Sequence, residues 1–166
     1  MVSYSGYWQY QDIIQAERPT KKVCIYNQNT IMGYLSSNPN YTLFTWMIKK
    51  AEMDLKMYHE LFDSTLFIVN DTNLRKQVGE DAFVTMDKNT AINLLNAHLL
   101  DKKIHKKTLM SQRLTRIFTK NEKTEIMFLN NNGNVTLNNM SKLIKEDIIV
   151  SNGVMHEVEY LILPFF

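Results

Sequence analysis

The sequence predicts an α+β domain, and three observations predict it. Apolar residues recur at helical spacing in the first half of the chain. Short β-branched and aromatic runs crowd the second half. No regular strand–helix alternation of the kind that builds a doubly wound sheet runs through the chain.

The elements follow in order. From Thr42, residues Phe44, Ile48, Ala51, Leu55 and Tyr58 recur at steps of four and three, which places them on one helix face, with Thr42 as the expected N-cap. "STLFIVN" (64–70) reads as a buried strand. "DTNLRKQVGEDAF" (71–83) reads as a turn and a short helix. "NTAINLLNAHLL" (89–100) predicts a second helix with Ala91, Leu94, Leu95 and His98 on one side. Strand-like pieces follow: "TLM" (108–110), "LTRIF" (114–118), "TEIMFL" (124–129) and "NVTL" (134–137). Between the last two, "NNNGN" signals a hairpin, because Asn and Gly tolerate positive φ. "KLIKEDIIV" (142–150) and "VMHEVEYLIL" (154–163) close the chain.

Residues 1–40 differ from the rest. The stretch carries Tyr4, Tyr7, Trp8, Tyr10, Tyr26 and Tyr34, has no helical period, and is interrupted by "RPTKK" and "SSNPN". It reads as an aromatic N-terminal arm that docks on its own domain or on a neighbour, in front of a domain at 41–166. The competing expectation is an extra structured edge of the same domain. The arm's Tyr4, Tyr7, Trp8 and Tyr10 are candidate protein-binding residues.

With 166 residues the chain has room for one domain with a real core. A net charge of only +2 gives no global pull toward nucleic acid or membrane. The N-terminus lacks a basic start and an apolar core, so no signal peptide is expected, and no apolar run approaches the roughly 20 residues of a membrane span. Cys24 is the only cysteine, which fits a reducing compartment. Sequons stand at Asn40, Asn70, Asn134 and Asn139; without a secretory signal they are expected to stay unmodified.

Enzyme signatures are missing: no phosphate-binding Gly-rich loop, no G-x-S-x-G and no H-E-x-x-H. His59, His98, His105 and His156 show no metal-pair spacing. In the closing stretch, strand alternation places His156, Val158, Tyr160 and Ile162 on one side and Glu157 and Glu159 on the other, so the imidazole and the carboxylates point apart. No catalytic residue, cofactor, metal or small-molecule substrate is expected. Lys102, Lys103, Lys106, Lys107, Arg113, Arg116, Lys120 and Lys123 make a basic run; without interleaved aromatics it reads first as a solvated face, with nucleic-acid binding through 102–123 as the lower-ranked alternative.

Three pieces in order resemble the fasciclin-like domain family: "STLFIVNDTNL" at 64–74, "LLNAHLL" at 94–100 and, most specifically, "SNGVMHEVEYLILP" at 151–164. The resemblance covers about residues 42–164. It implies helices packed on a wedge of β-strands, and a binding module without catalytic activity. It also implies a fold-holding role, a structural clasp, for Asn152, Gly153, His156, Pro164 and His98. Where the family has a Tyr before the middle His, this chain has Ala97; where it has Ala-Pro-Thr in the first block, this chain has Ile68, Val69 and Asn70. Asp147 and Ile148 resemble the family's Asp-Ile adhesion pair and are further candidate protein-binding residues. Two settings follow. One is a component of an intracellular assembly, such as a minor capsid protein of a large DNA virus, contacting neighbouring subunits through the arm. The other is a secreted or cell-surface adhesion domain.

Overall fold

The structure, a computed structural model, describes residues 29–59, 62–121 and 124–163. Six short helices and a seven-stranded sheet alternate unevenly along it: α1 (Ile31–Ser36), α2 (Thr42–Lys50), β1 (Ser64–Ile68), α3 (Asp71–Gln77), α4 (Glu80–Val84), α5 (Lys88–Asn96), β2 (Leu99–Leu100), α6 (Lys106–Leu109), β3 (Leu114–Phe118), β4 (Glu125–Asn131), β5 (Asn134–Leu137), β6 (Ser141–Val150) and β7 (Gly153–Val158). The architecture is α+β, helices against a wedge of strands.

The spatial order is β2-β1-β7-β6-β5-β4-β3. β3 to β7 form an antiparallel meander, whose β4–β5 hairpin turns through Asn132 and Gly133, both at positive φ as a two-residue turn between twisted strands requires. β7 then enters between β6 and β1 and runs parallel to β1, pairing Ser64 with Gly153 through Ile68 with Glu157. The two ends of the strand order come together: after β3, Lys120 N–H donates to the Leu99 carbonyl at 3.0 Å and Asn121 N–H to Asn96 at 3.2 Å. Inside the resulting wedge, the Phe67 and Phe128 rings lie 5.6 Å apart. Alternation turns Leu66 and Ile68 to the opposite face of β1, where they join a core with Ile31, Phe44, Met47, Ile48 and Leu95.

Several expectations are corrected. The helix starting at Thr42 stops at Lys50 instead of continuing to Tyr58, because Glu52 takes a left-handed conformation (φ 58°) that ends the ladder; Leu55 is consequently 71% exposed. Tyr41, not Thr42, is the N-cap, and it contributes no side-chain cap. The cap comes from Asp71, whose carboxylate accepts from the Thr42 hydroxyl (2.5 Å) and from Leu43 N–H (2.9 Å). "TLM" is not a strand; Thr108 and Leu109 lie in α6 and Met110 caps it. β7 ends at Val158, so Tyr160 and Ile162 do not continue its face. Of the segment 1–40, residues 29–40 are described, and Ile31, Met32 and Leu35 of α1 are buried in the domain core. Tyr4, Tyr7, Trp8 and Tyr10 lie outside the described residues, as does Pro164.

Candidate functional site

The residues singled out in the closing stretch surround β7. All six residues of β7 are buried, because β1 and β6 flank it and other elements cover both faces. Each polar group there must therefore find a partner inside the protein.

Asn152, just before β7, is fully buried and bonds to distant segments rather than to its own turn. Its Oδ1 accepts from Ile31 N–H at 2.8 Å, and its Nδ2 donates to the carbonyls of Met57 (2.8 Å) and His59 (3.0 Å). One side chain thus ties the start of α1 and the 3-10 turn Lys56–Tyr58 to the entry of β7. Gly153 is not among the residues at positive φ. It is required by close approach: a Cβ there would collide with the Ser64 carbonyl oxygen and come within 2.7 Å of Ile31 Cδ1.

The two buried histidines are separate fasteners that use opposite tautomers. His98 donates from Nδ1 to the Leu94 carbonyl (2.7 Å) and accepts from Ile162 N–H at Nε2 (2.9 Å), with Phe44 edge-on at 5.8 Å. It joins the end of α5 to the segment after β7. His156 donates from Nε2 to the Ile104 carbonyl (2.7 Å) and accepts from Asp147 N–H at Nδ1 (3.1 Å), stacked 5.6 Å from Phe67. It holds the bulge in β6 and the loop before α6. Burial pulls His98 down to about 4 against a lesser opposing effect of the Leu94 bond, and burial also lowers His156. Both rings are neutral at pH 7 with both nitrogens occupied, which leaves neither a free base nor a free ligand atom.

His156 and Glu157 do point apart, yet both are buried. Glu157 is 8% exposed, its oxygens accepting from the Tyr41 hydroxyl (2.6 Å) and from Asn70 Nδ2 (2.7 Å). Burial first, and then the Glu157 carboxylate, push the Tyr41 phenol far above its ordinary range. Asn70 also N-caps α3, accepting from Asn73 N–H at 2.9 Å. Tyr41, Asn70, Asp71 and Glu157 line a polar groove of about 440 Å³ with Arg75 and Pro39 at its sides. The carboxylates that face it are already engaged in holding α2, α3 and the turn Pro39–Tyr41. Sequence reasoning missed this cluster. Its only local signal is the pair "ND" at 70–71, where the turn into α3 begins.

Asp147 sits at the β6 bulge with φ 55°, its Oδ1 accepting from Lys106 N–H at 2.8 Å and so capping α6 from another element. Ile148 packs against the core; the exposed isoleucine at this corner is Ile149, at 65%. The basic run is partly neutralised by acids brought from elsewhere in the fold: Lys103 by Asp63, Lys106 by Glu146 and Lys120 by Asp101. Among the described residues, no group of three or more His, Cys, Asp or Glu side chains is placed to hold a metal ion, and no helix is long and apolar enough to cross a membrane.

The fasciclin domain family model matches residues 39–164. The chain is similar in structure to a FAS1 domain pair from the insect cell adhesion molecule fasciclin I, with a TM-score of 0.67 over 81% of this chain and 19% sequence identity. This chain covers 50% of the length of that pair. No curated protein matches the sequence.

Proposed function

The chain belongs to the fasciclin domain family, a family of generally non-enzymatic adhesion modules, and from that premise we propose that it is a protein–protein interaction module built into a larger assembly. The observation that carries this is the division of labour within the sheet. The polar groups of the closing strand are occupied by internal bonds, whereas large apolar side chains face outward: Leu114, Phe118, Ile144 and Ile149. Outward apolar side chains on a packed scaffold are what a protein partner recognises. The assembly we favour is an intracellular one, with the chain as a minor structural component of a virus particle. The single cysteine, the near-neutral charge and the aromatic N-terminal segment support that setting. Asp147 and Ile149 make the β6 corner a second contact region beside that segment.

A second reading, an adhesion domain on a cell surface, is favoured by one observation. Asn134 and Asn139 are exposed beside turns and free to carry a glycan, whereas the Asn70 side chain is locked by its bonds to Glu157 and Asn73.

Chemical cross-linking of the protein in its native source, followed by mass spectrometry, tests both. Cross-links to a neighbouring protein at fixed stoichiometry, without glycans, support the assembly. Glycans on Asn134 or Asn139 support the adhesion domain. Recovery as a free monomer without cross-links rejects the interaction reading altogether.

A further inference from the structure

β3 to β6 turn one face into the wedge and the other to solvent, and the pairing register identifies the outer one. Residues directly opposite each other on neighbouring strands share a face. Leu114 pairs with Leu129, Leu129 with Thr136 and Thr136 with Lys142, a row that crosses all four strands. Alternation adds Arg116, paired with Met127, and Phe118, paired with Glu125. The other parity, Ile126, Phe128, Val135 and Leu137, is buried. Beyond the register shift in β6, Lys145 pairs with Glu157. Glu157 points away from His156, whose ring stacks on Phe67 inside the wedge, so Lys145 joins the outer face.

This face is apolar and cationic at once. Phe118 is 67% exposed, Leu114 is exposed, and Met127 and Leu129 are half-buried beside them. Arg116, Lys142 and Lys145 are exposed and enter no ion pair among the described residues. Glu125 is the carboxylate set among them. Elsewhere the fold supplies acids to its cations, as Asp63 to Lys103, Glu146 to Lys106 and Asp101 to Lys120. A positive surplus is therefore left where the apolar strip lies.

That surplus selects the occupant. A second copy docking through the same face would set Arg116, Lys142 and Lys145 against their own kind, with Glu125 too little to balance them. Residues 1–28 of the chain carry Asp12 and Glu17 against Arg18, Lys21 and Lys22, so they bring no acidic surplus either. A nucleic-acid strand would bring negative charge, but its bases need rings to stack on, and Phe118 is the only aromatic in this strip. Leu114, Met127 and Leu129 instead suit aliphatic and aromatic side chains of a protein.

We propose that the outer face of the β3–β6 meander docks an acidic, apolar segment of a partner protein. Its apolar side chains lie on Leu114, Phe118, Met127 and Leu129, and its carboxylates stand beside Arg116 and Lys142. This rests on the interaction reading above and adds the chemistry of the partner.

Titration of the full chain with a short synthetic peptide alternating Glu and Leu tests it, read in the amide nitrogen–proton correlation spectrum. The peptide should shift the amides of Leu114, Phe118, Met127 and Leu129, and counterparts alternating Lys and Leu or Glu and Ser should not. The double variant Arg116→Glu, Lys142→Glu should bind the Glu–Leu peptide at least about tenfold more weakly and gain affinity for the Lys–Leu one. Phe118→Ser, which leaves every charge in place, should weaken the Glu–Leu peptide as well. No shift on this face would overturn the proposal, and so would shifts indifferent to the charge reversal. Binding of oligothymidylate or anionic lipid vesicles in place of the peptide would overturn it too, as would shifts that follow the protein's own concentration. Cross-links in the native source without these peptide effects would keep the interaction reading and reject this surface. Absence of cross-links would reject the interaction reading whatever the peptide does.

Discussion

β7 and β3 belong to one sheet and obey opposite rules. Every residue of β7 is buried, and Asn152, His156 and Glu157 bind it to α1, to the β6 bulge and to the turn before α2. β3 alternates exposed and half-buried residues, pairs only with β4 among the described strands and turns apolar side chains to solvent. Stability is concentrated where both faces are covered and polar groups are spent on the backbone. The outward apolar side chains are left to the strand at the end of the sheet order. A substitution near β7 should therefore register as lost stability, and one on the outer face of β3 as altered association.

The strongest challenge to that contrast is Asn152→Ala. It removes three buried bonds to backbone groups and should lower the unfolding free energy by about 3–4 kcal/mol. Urea titration measures this, and a change under about 1 kcal/mol would show that the clasp is ornamental. Acid comes next. The folded states of His98 and His156 resist protonation, so the unfolded chain binds protons that the native chain refuses. Stability should be flat above about pH 6.5 and fall as pH drops toward 4, by up to about 3 kcal/mol for His98 alone. Chemical denaturation at stepped pH reads the slope, and His98→Gln should flatten it. Gly153→Ala should cost about 2–3 kcal/mol through collision with Ser64 and Ile31. Its melting temperature reports this, and an unchanged value would mean that β1 can shift. The smallest stability effect is expected of Phe118→Ser, within about 0.5 kcal/mol. A loss comparable to that of Gly153→Ala would erase the distinction between the two strands.

How far the sequence could be read follows the same divide. β3 and β5 were visible residue for residue, because a strand with one wet face shows its period and "NNNGN" marks the turn beside them. The family blocks located β1 and the start of β7. The period-two reading of β7 went astray because a central strand is covered on both sides: alternation separates His156 from Glu157 but cannot say that both are dry. The helix from Thr42 was read too long because Leu55 and Tyr58 happen to keep its spacing past a left-handed Glu52. The caps supplied by Asp71 to α2 and by Asp147 to α6 join residues 28 and 41 positions apart, which no local pattern encodes.

β7 follows every other strand in the chain and yet lies between two of them. Until its residues leave the ribosome, β1 and β6 have no shared neighbour. The Asn152 and His156 bonds cannot form, and the nascent domain carries two bare edges about 80 residues apart in sequence. Such late, distant closure slows folding and lengthens the interval in which a chaperone or a second nascent chain can intrude. A stall or nonsense codon anywhere before Gly153 should thus yield not a shortened module but an unlatched one, recognisable to the cell as waste.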